Sequence, residues 1–433
     1  MPANDTPYRH KAVTSKHLVI GLDFGAAFTR VVIGDNRVKY AVPFDALAQP
    51  GNPYLLPTIL QVKDGHCRLV SALEADDCRE NLKFPLIARN YNYEDLLRIA
   101  AYLALVFRAS REWLLKRYAD RYGHCQLSWS VNAGLPEDNR EDSGDNAELS
   151  ETFRQVLHTA WTLSVLPGPV TLKRVRQYMG IDDSAFASFP AVYRARLISR
   201  DAIHTFPGCC GQICGYVHSP RCDLDLHMLI DIGASTINIA TFAVEKPADI
   251  NARNRCRLYT CAIEPFGVDY MLNRRYENLK LPDDDINLFR DIPDLATFAQ
   301  AHDLSEKEVR FADALYSGDV ARLINRVLDE TRREHCPESV SWEAGVPTFV
   351  YGGGARLEIV QSIIHSHENK TPPHRIRSVR LNPPDDLLAE HLPADAYDRL
   401  SMAYGLSFTA EEISQATGRI EDSGSALAHD TVA

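Results

Sequence analysis

No stretch of about 18 or more apolar residues occurs anywhere in this sequence, so it offers no transmembrane helix. The opening residues, MPANDTPYRHKAVTSK, are polar and lack the apolar centre of a secretory signal, so the expected location is cytoplasmic. An excess of positive charge is missing too. The formal net charge is −11, which argues against a large footprint on nucleic acid or on an anionic membrane. Cysteine is sparse: ten in 433 residues cannot staple a chain of this length. Its one cluster, Cys209, Cys210, Cys214 and Cys222, has no zinc-ligand spacing, and Cys209, Cys210 and Cys214 read as small buried residues on a helix. No histidine pair shows H-x-x-x-H or H-E-x-x-H spacing, and His365 with His367 read as surface or capping residues near a helix end. The P-loop pattern G-x-x-x-x-G-K-[ST] occurs nowhere, and the one triple-glycine turn lacks the G-x-G-x-x-G spacing of a dinucleotide site. The acidic runs Pro282–Asp285 and Glu137–Asp145 lie in strongly polar stretches and read as solvated loops rather than paired glycosidase carboxylates.

What remains is an ordinary globular composition and a length that suits two to four domains. LVIGLDFGAAFTRVVIG (Leu18–Gly34) carries two β-rich runs about a short Gly/Ala turn, a hairpin signal. MLIDIGASTINIATF (Met228–Phe242) repeats it: with Asp23 laid on Asp231, Gly25 falls on Gly233 and Ala26 on Ala234. One unit therefore occurs twice, about a domain apart. Between the copies, Tyr93–Tyr118 has helical apolar spacing, Gln126–Val131 reads as a strand with Asn132–Asn139 as its exit loop, and Glu148–Val165 is a helix with an acidic first turn. The basic segment Arg108–Arg121 reads as the wet face of an amphipathic helix, with Trp113, Leu114 and Leu115 buried. Pro207–Tyr216 is a short helix of small residues. After the second hairpin come a helix at Asp269–Leu279, a charged helical stretch from Pro282 to Glu343, and FVYGGGARLEIV (Phe349–Val360) as strand, glycine turn and helix. A last helix starts at Ser401–Phe408. Residues 1–16 and 411–433 read as disordered tails, 17–224 as a first lobe, and 225–410 as a second with a helical outer subdomain at about 270–345.

A glycine turn lets backbone N–H groups converge on an anion with no Cβ in the way. Asp23 and Asp231 end their strands, where a carboxylate can hold a hydrated Mg²⁺. The third turn, Gly352–Gly354, admits a flat ligand, and the helix after it favours anions.

In this order, with AYGL at Ala403–Leu406, the motifs resemble the actin, sugar-kinase and heat-shock ATPase superfamily. They are most similar to the nucleotide-binding domain of the 70-kDa, DnaK-like chaperones, over roughly residues 18 to 408. The resemblance implies an α/β, actin-like ATPase fold of two duplicated lobes, each with a mixed five-stranded sheet flanked by helices, around a cleft for ATP or ADP and Mg²⁺. Within it, GLDFGAAFTR (Gly21–Arg30) matches the first phosphate motif, DIGASTIN (Asp231–Asn238) the second, and YGGGARLEIV the adenosine motif. HTFPGCCGQICGY (His204–Tyr216) and MAYGL match the two helices that connect the lobes. Asp23 and Asp231 would hold the ion. Gly25, Ala26, Ala27, Gly233, Ala234, Ser235 and Thr236 would face the phosphates. Gly352, Gly353 and Gly354 would line the adenosine pocket, with Arg356 stacking on adenine. Lys83 would reach the γ-phosphate, or else remain a solvated side chain.

The sequence also departs from that family. Ala26 and Ala27 replace hydroxyl residues, Phe206 stands where a glutamate precedes the proline, and Asn238 replaces an aspartate. Phosphoryl transfer depends on positioned charge and water, and one lost donor costs about 2.7–4 kcal/mol of barrier. Slow or absent turnover therefore stands beside ordinary ATPase activity. The expected function is a nucleotide-dependent two-lobe switch read by a protein partner, without a peptide-binding domain because only about 27 residues follow Leu406. A polymerising actin-like ATPase, a non-hydrolysing scaffold and a small-molecule kinase are the other readings. Asn238 in place of an acid argues against the last.

Overall fold

The computed structural model describes residues 14–73, 77–135, 144–219, 222–246, 254–282, 286, 292–393 and 395–418. The first lobe starts with β1 (Thr14–Phe24) and β2 (Phe28–Gly34), the expected hairpin, followed by β3 (Lys39–Ala41) and a two-residue β4 (Leu56–Pro57). A small antiparallel sheet of β5 (Leu60–Lys63), β6 (His66–Leu69) and β7 (Cys78–Arg79) stands apart from the main one. Next come α1 (Tyr93–Arg117), β8 (Cys125–Leu135), α2 (Gly144–Val165) and β9 (Ile203–Pro207). The start of α1 is fixed by a capping box: the Asn92 side chain accepts from the Asp95 amide, and the Asp95 carboxylate accepts from the Asn92 amide, both at 3.0 Å.

Crossing to the second lobe is α3 (Gly208–Val217). There β10 (Asp225–Ile232), β11 (Ile237–Glu245) and β12 (Arg255–Glu264) lead into α4 (Val268–Leu279), two short outer helices and α5 (Ala314–Glu334). Then follow β13 (Val346–Tyr351), α6 (Glu358–Glu368), β14 (Ile376–Ser378), β15 (Leu387–Leu388), α7 (Ser401–Leu406) and α8 (Ala410–Thr417). Across the outer subdomain, Arg275 and Asp313 form a buried bidentate ion pair at 2.8 and 2.7 Å.

Strand order reveals the duplication. The first sheet runs β3-β2-β1-β8-β9 and the second β12-β11-β10-β13-β14. In both, the first three strands are antiparallel and the next two pair in parallel. This is the actin-like ATPase fold. The first sheet has seven strands rather than the expected five, because β4 and the late β15 add two-residue pairings at its edge region. Each lobe has its own apolar core, and a third core is built around α3, α7 and α8 where the lobes join. The two connecting helices touch backbone to backbone. A Cβ on Gly405 would stand 1.6 Å from the Gly211 carbonyl oxygen, so only glycine fits this crossing.

Several expectations are corrected. Thr14–Lys16, assigned to a tail, belong to β1, whose pairing with β8 begins at Thr14↔Cys125. Residues 411–417 are not tail but helix: Thr409 and Glu412 form a capping box, and Ile413 and Ala416 are buried. Asn132–Leu135 continue the strand instead of leaving it as a loop, while Pro136–Asn139 fall outside the described residues. The acidic runs also lie outside them, apart from Pro282 and the helical Gly144 and Asp145. In α1, Arg111 is buried against Trp129 and Trp161 rather than solvated, and Leu115 is exposed. An arginine can turn inward there because the indole faces attract its cation. The cysteine expectation holds: Cys209, Cys210 and Cys214 are buried on α3.

Candidate functional site

Each hairpin closes its turn with the same bond. The Gly25 amide donates to the Phe28 carbonyl at 3.1 Å, and the Gly233 amide to the Thr236 carbonyl at 2.8 Å, the same positions in the repeated unit. From behind, Thr58 bonds the first turn through the carbonyls of Gly25 (2.9 Å) and Ala27 (2.8 Å). The amides of Val268 and Asp269, at the start of α4, hold the second through the carbonyls of Gly233 (3.1 Å) and Ala234 (2.9 Å). With the carbonyls drawn back, the amides of Ala26, Ala27, Ala234 and Ser235 have no hydrogen bond among the described residues. Backbone amides left free in a glycine turn are the groups from which an anion nest is built.

Both turns line one cavity of about 550 Å³ between the lobes. That volume suits a small organic ligand. Asp23, Gly25, Ala26, Ala27, Lys83, Asp231, Gly233, Ala234, Ser235, Thr236, Gly352, Gly353 and Arg356 all line it. Gly354 does not: it is buried beneath the turn, where a Cβ would meet Ile232 at 2.4 Å and Val268 at 2.9 Å. Gly352 does, with φ +87° and a would-be Cβ only 2.4 Å from Asp231 Oδ1. Pairing of β10 with β13 brings them together by setting Asp231 against Tyr351. Lys83, just before a short helix at Phe84–Ile87, is a half-buried cleft residue rather than a solvated one. Burial pushes its ammonium below the usual lysine range, while the charges of Asp23 and Asp231 pull it back. Arg356 is anchored at the rim on Asp398 at 3.0 Å and on the Asp395 carbonyl at 2.6 Å. Ala27 packs with Phe28 and Leu55 against Ala234, so the two turns also meet through an apolar contact.

Three residues that sequence reasoning passed over complete the cleft. Arg30 stands directly across the hairpin from Asp23 and pairs with it, Nη1 to Oδ2 at 2.9 Å. The same register in the second hairpin sets Asn238 opposite Asp231. Register alone would have revealed the Arg30 pairing. Gln212, on α3, donates from Nε2 to Asp231 Oδ2 at 2.8 Å, and its own Oε1 is buried without a partner. Asn238 Oδ1 is likewise buried and unpartnered. Arg399 lies over the Phe28 ring at 5.8 Å and beside Gly353. Burial, reinforced by Arg30 and Arg356, pushes its guanidinium down to about 9. Its Nε and that of Arg30 are buried without partners. No sequence signal marks Arg399, which ends a 3-10 turn at Tyr397–Arg399 between β15 and α7. Phe206, where an acid was expected, is buried at the end of β9.

A magnesium ion bound with nucleotide commonly takes one or two carboxylates together with waters and phosphate oxygens. Here the fit is poor. Asp23 already has a full counterion in Arg30, and Asp231 faces an amide donor.

No protein-family model matches the chain, and no curated protein does. Among solved structures, the apo pSK41 ParM protein resembles it at 12% identity, over 91% of this chain and 96% of that one, with a TM-score of 0.43. A likeness that faint decides nothing about chemistry. The cleft's own residues carry the reading. Among the described residues no helix is long and apolar enough to cross a membrane.

Proposed function

We propose that the cleft binds a nucleoside triphosphate, as ATP or its ADP product. The phosphates lie between the turns at Gly25–Phe28 and Gly233–Thr236, and the adenosine lies against Gly352, Gly353 and Arg356. What carries this reading is the pair of turns with unused amides, facing one cavity that also holds Lys83, Arg30 and Arg399. Anions are what such a surface attracts. The output we assign is closure of the lobes about the crossing of α3 and α7, read by a protein partner, since a ligand that binds one form better shifts the population toward it.

Hydrolysis in this reading is slow or absent. Phosphoryl transfer to water needs an oriented nucleophile and a group to take its proton. Gln212 Oε1 is free to orient a water, but an amide oxygen is a poor base, and Phe206 and Asn238 occupy positions where acids would serve. Thermal denaturation tests the proposal: at about 100 times its dissociation constant, ATP should stabilise the fold by about 2.7 kcal/mol. A midpoint unmoved by ATP and by ADP sinks it. A phosphate-release assay on the same sample should show turnover well below that of an ordinary ATPase.

A further inference from the structure

The duplicated hairpins differ in charge at the position that faces the strand-end aspartate. Each sets a residue directly across from its strand-end aspartate, Asn238 in the second copy and Arg30 in the first. Arg30 therefore brings a positive charge to the spot where a phosphate-bound divalent ion would approach Asp23. Its Nη1 is 2.9 Å from Asp23 Oδ2, and its Nε is buried with no partner. Arg399 reaches the cavity from the far side and leaves its Nε unpartnered as well. Asp398, the residue before it in the chain, already pairs with Arg356 at 3.0 Å. Lys83 and Arg399 make no ion pair among the described residues, so the cleft carries cations beyond those its carboxylates neutralise.

We propose that Arg30, Arg399 and Lys83 neutralise the bound phosphates in place of a divalent ion, so that the chain binds its nucleoside triphosphate without magnesium. This rests on the triphosphate reading above. Asp23 then acts as the anchor that holds the Arg30 guanidinium in the cleft, and not as a metal ligand. Guanidinium groups are suited to this role, since they stay charged near neutral pH and their planar forks bind phosphate oxygens in pairs. A magnesium ion brought against Arg30 and Lys83 would meet like charge in a site of low dielectric, where repulsion is strong.

Calorimetric titration of the full chain with ATP, in excess EDTA and again in excess magnesium, tests this. The two affinities should agree within about threefold; a loss of about tenfold or more in EDTA, roughly 1.4 kcal/mol, overturns it. In that outcome the triphosphate reading survives and only the metal-free inference falls. No binding under either condition removes both. Asp23→Asn gives a second readout, because asparagine still accepts from Arg30 but has lost the charge a metal would need. The ratio of its affinities in magnesium and in EDTA should remain within about threefold of unity, as in the parent. A folded variant, verified by circular dichroism, whose ratio differs from the parent's by about tenfold or more counts against the proposal.

Discussion

Asp231 is buried at the inner end of β10, and burial lifts its carboxyl from an ordinary value near 3.8 to about 6, against the pull of the Gln212 amide, with Asp23 adding to the rise. A carboxyl raised in the fold binds its proton more tightly there than in the unfolded chain. Its contribution to stability is complete below the unfolded value and is lost as pH rises through about 6. A rise of that size corresponds to on the order of 3 kcal/mol. Asp231→Asn, which still accepts from Gln212, should therefore gain roughly 3 kcal/mol over the parent in urea unfolding at about pH 7.5 and about 1 kcal/mol at about pH 4.5. An equal difference at both pH values would refute the assignment. The buried pair of Arg275 and Asp313 makes a contrasting case. Asp313→Ala strands a guanidinium whose side chain is only 5% exposed, and should cost about 3–5 kcal/mol in the same measurement. How legible these residues were varied with their chemistry. The strand-end aspartates and turn glycines announced themselves by repeating. Arg30 was readable in principle, since a hairpin closed at Gly25 and Phe28 must set residue 23 opposite residue 30. Arg399 was not, because its place depends on how the 3-10 turn Tyr397–Arg399 folds over Gly353.

Among the elements, the two repeated hairpins and the long helices followed their periodicity, whereas the end of β8 was read as a loop and β12 was not read at all. β4 and β15 have two residues each, too few to show any alternation, and exist because the edge of the first sheet offers them partners. The helix at Ala410–Thr417 was hidden by the polar, low-complexity residues after it, although its Thr-x-x-Glu start was present in the sequence. The crossing of α3 and α7 was implied by the resemblance alone, and its contact pairs Gly211 with Gly405 across nearly two hundred residues of chain. Adding a methyl there has no local remedy, since the obstacle is backbone. Gly405→Ala should lower stability by about 3 kcal/mol or more, at the upper end of what overpacking costs. Gly318→Ala is the matched control. In α5 its new Cβ meets only the far end of the Arg322 side chain at 3.4 Å, so it should gain about 0.5–1 kcal/mol. Chemical denaturation of both variants decides the matter, and a tolerated Gly405→Ala would mean the helices are not in contact in solution.

For the molecule as a whole, the far field and the cleft have opposite signs. A formal net charge of −11 repels a triphosphate at long range, while Lys83, Arg30 and Arg399 attract it once it enters. Salt screens the two unequally. At about 0.15 M ionic strength the Debye length is about 8 Å, so the outer repulsion, which acts at longer range, is damped first. Half-buried guanidinium contacts lose less, but they do lose. Association of a fluorescent triphosphate analogue should therefore quicken as salt is raised from about 0.02 to about 0.2 M, the reverse of the usual behaviour for a steered anion. Dissociation should quicken as well, leaving affinity to fall by less than the off-rate alone would give. Stopped-flow mixing separates the two rates. If the on-rate instead falls with salt, the cations govern approach as well as residence, and the cleft projects its positive field beyond the acidic surface around it.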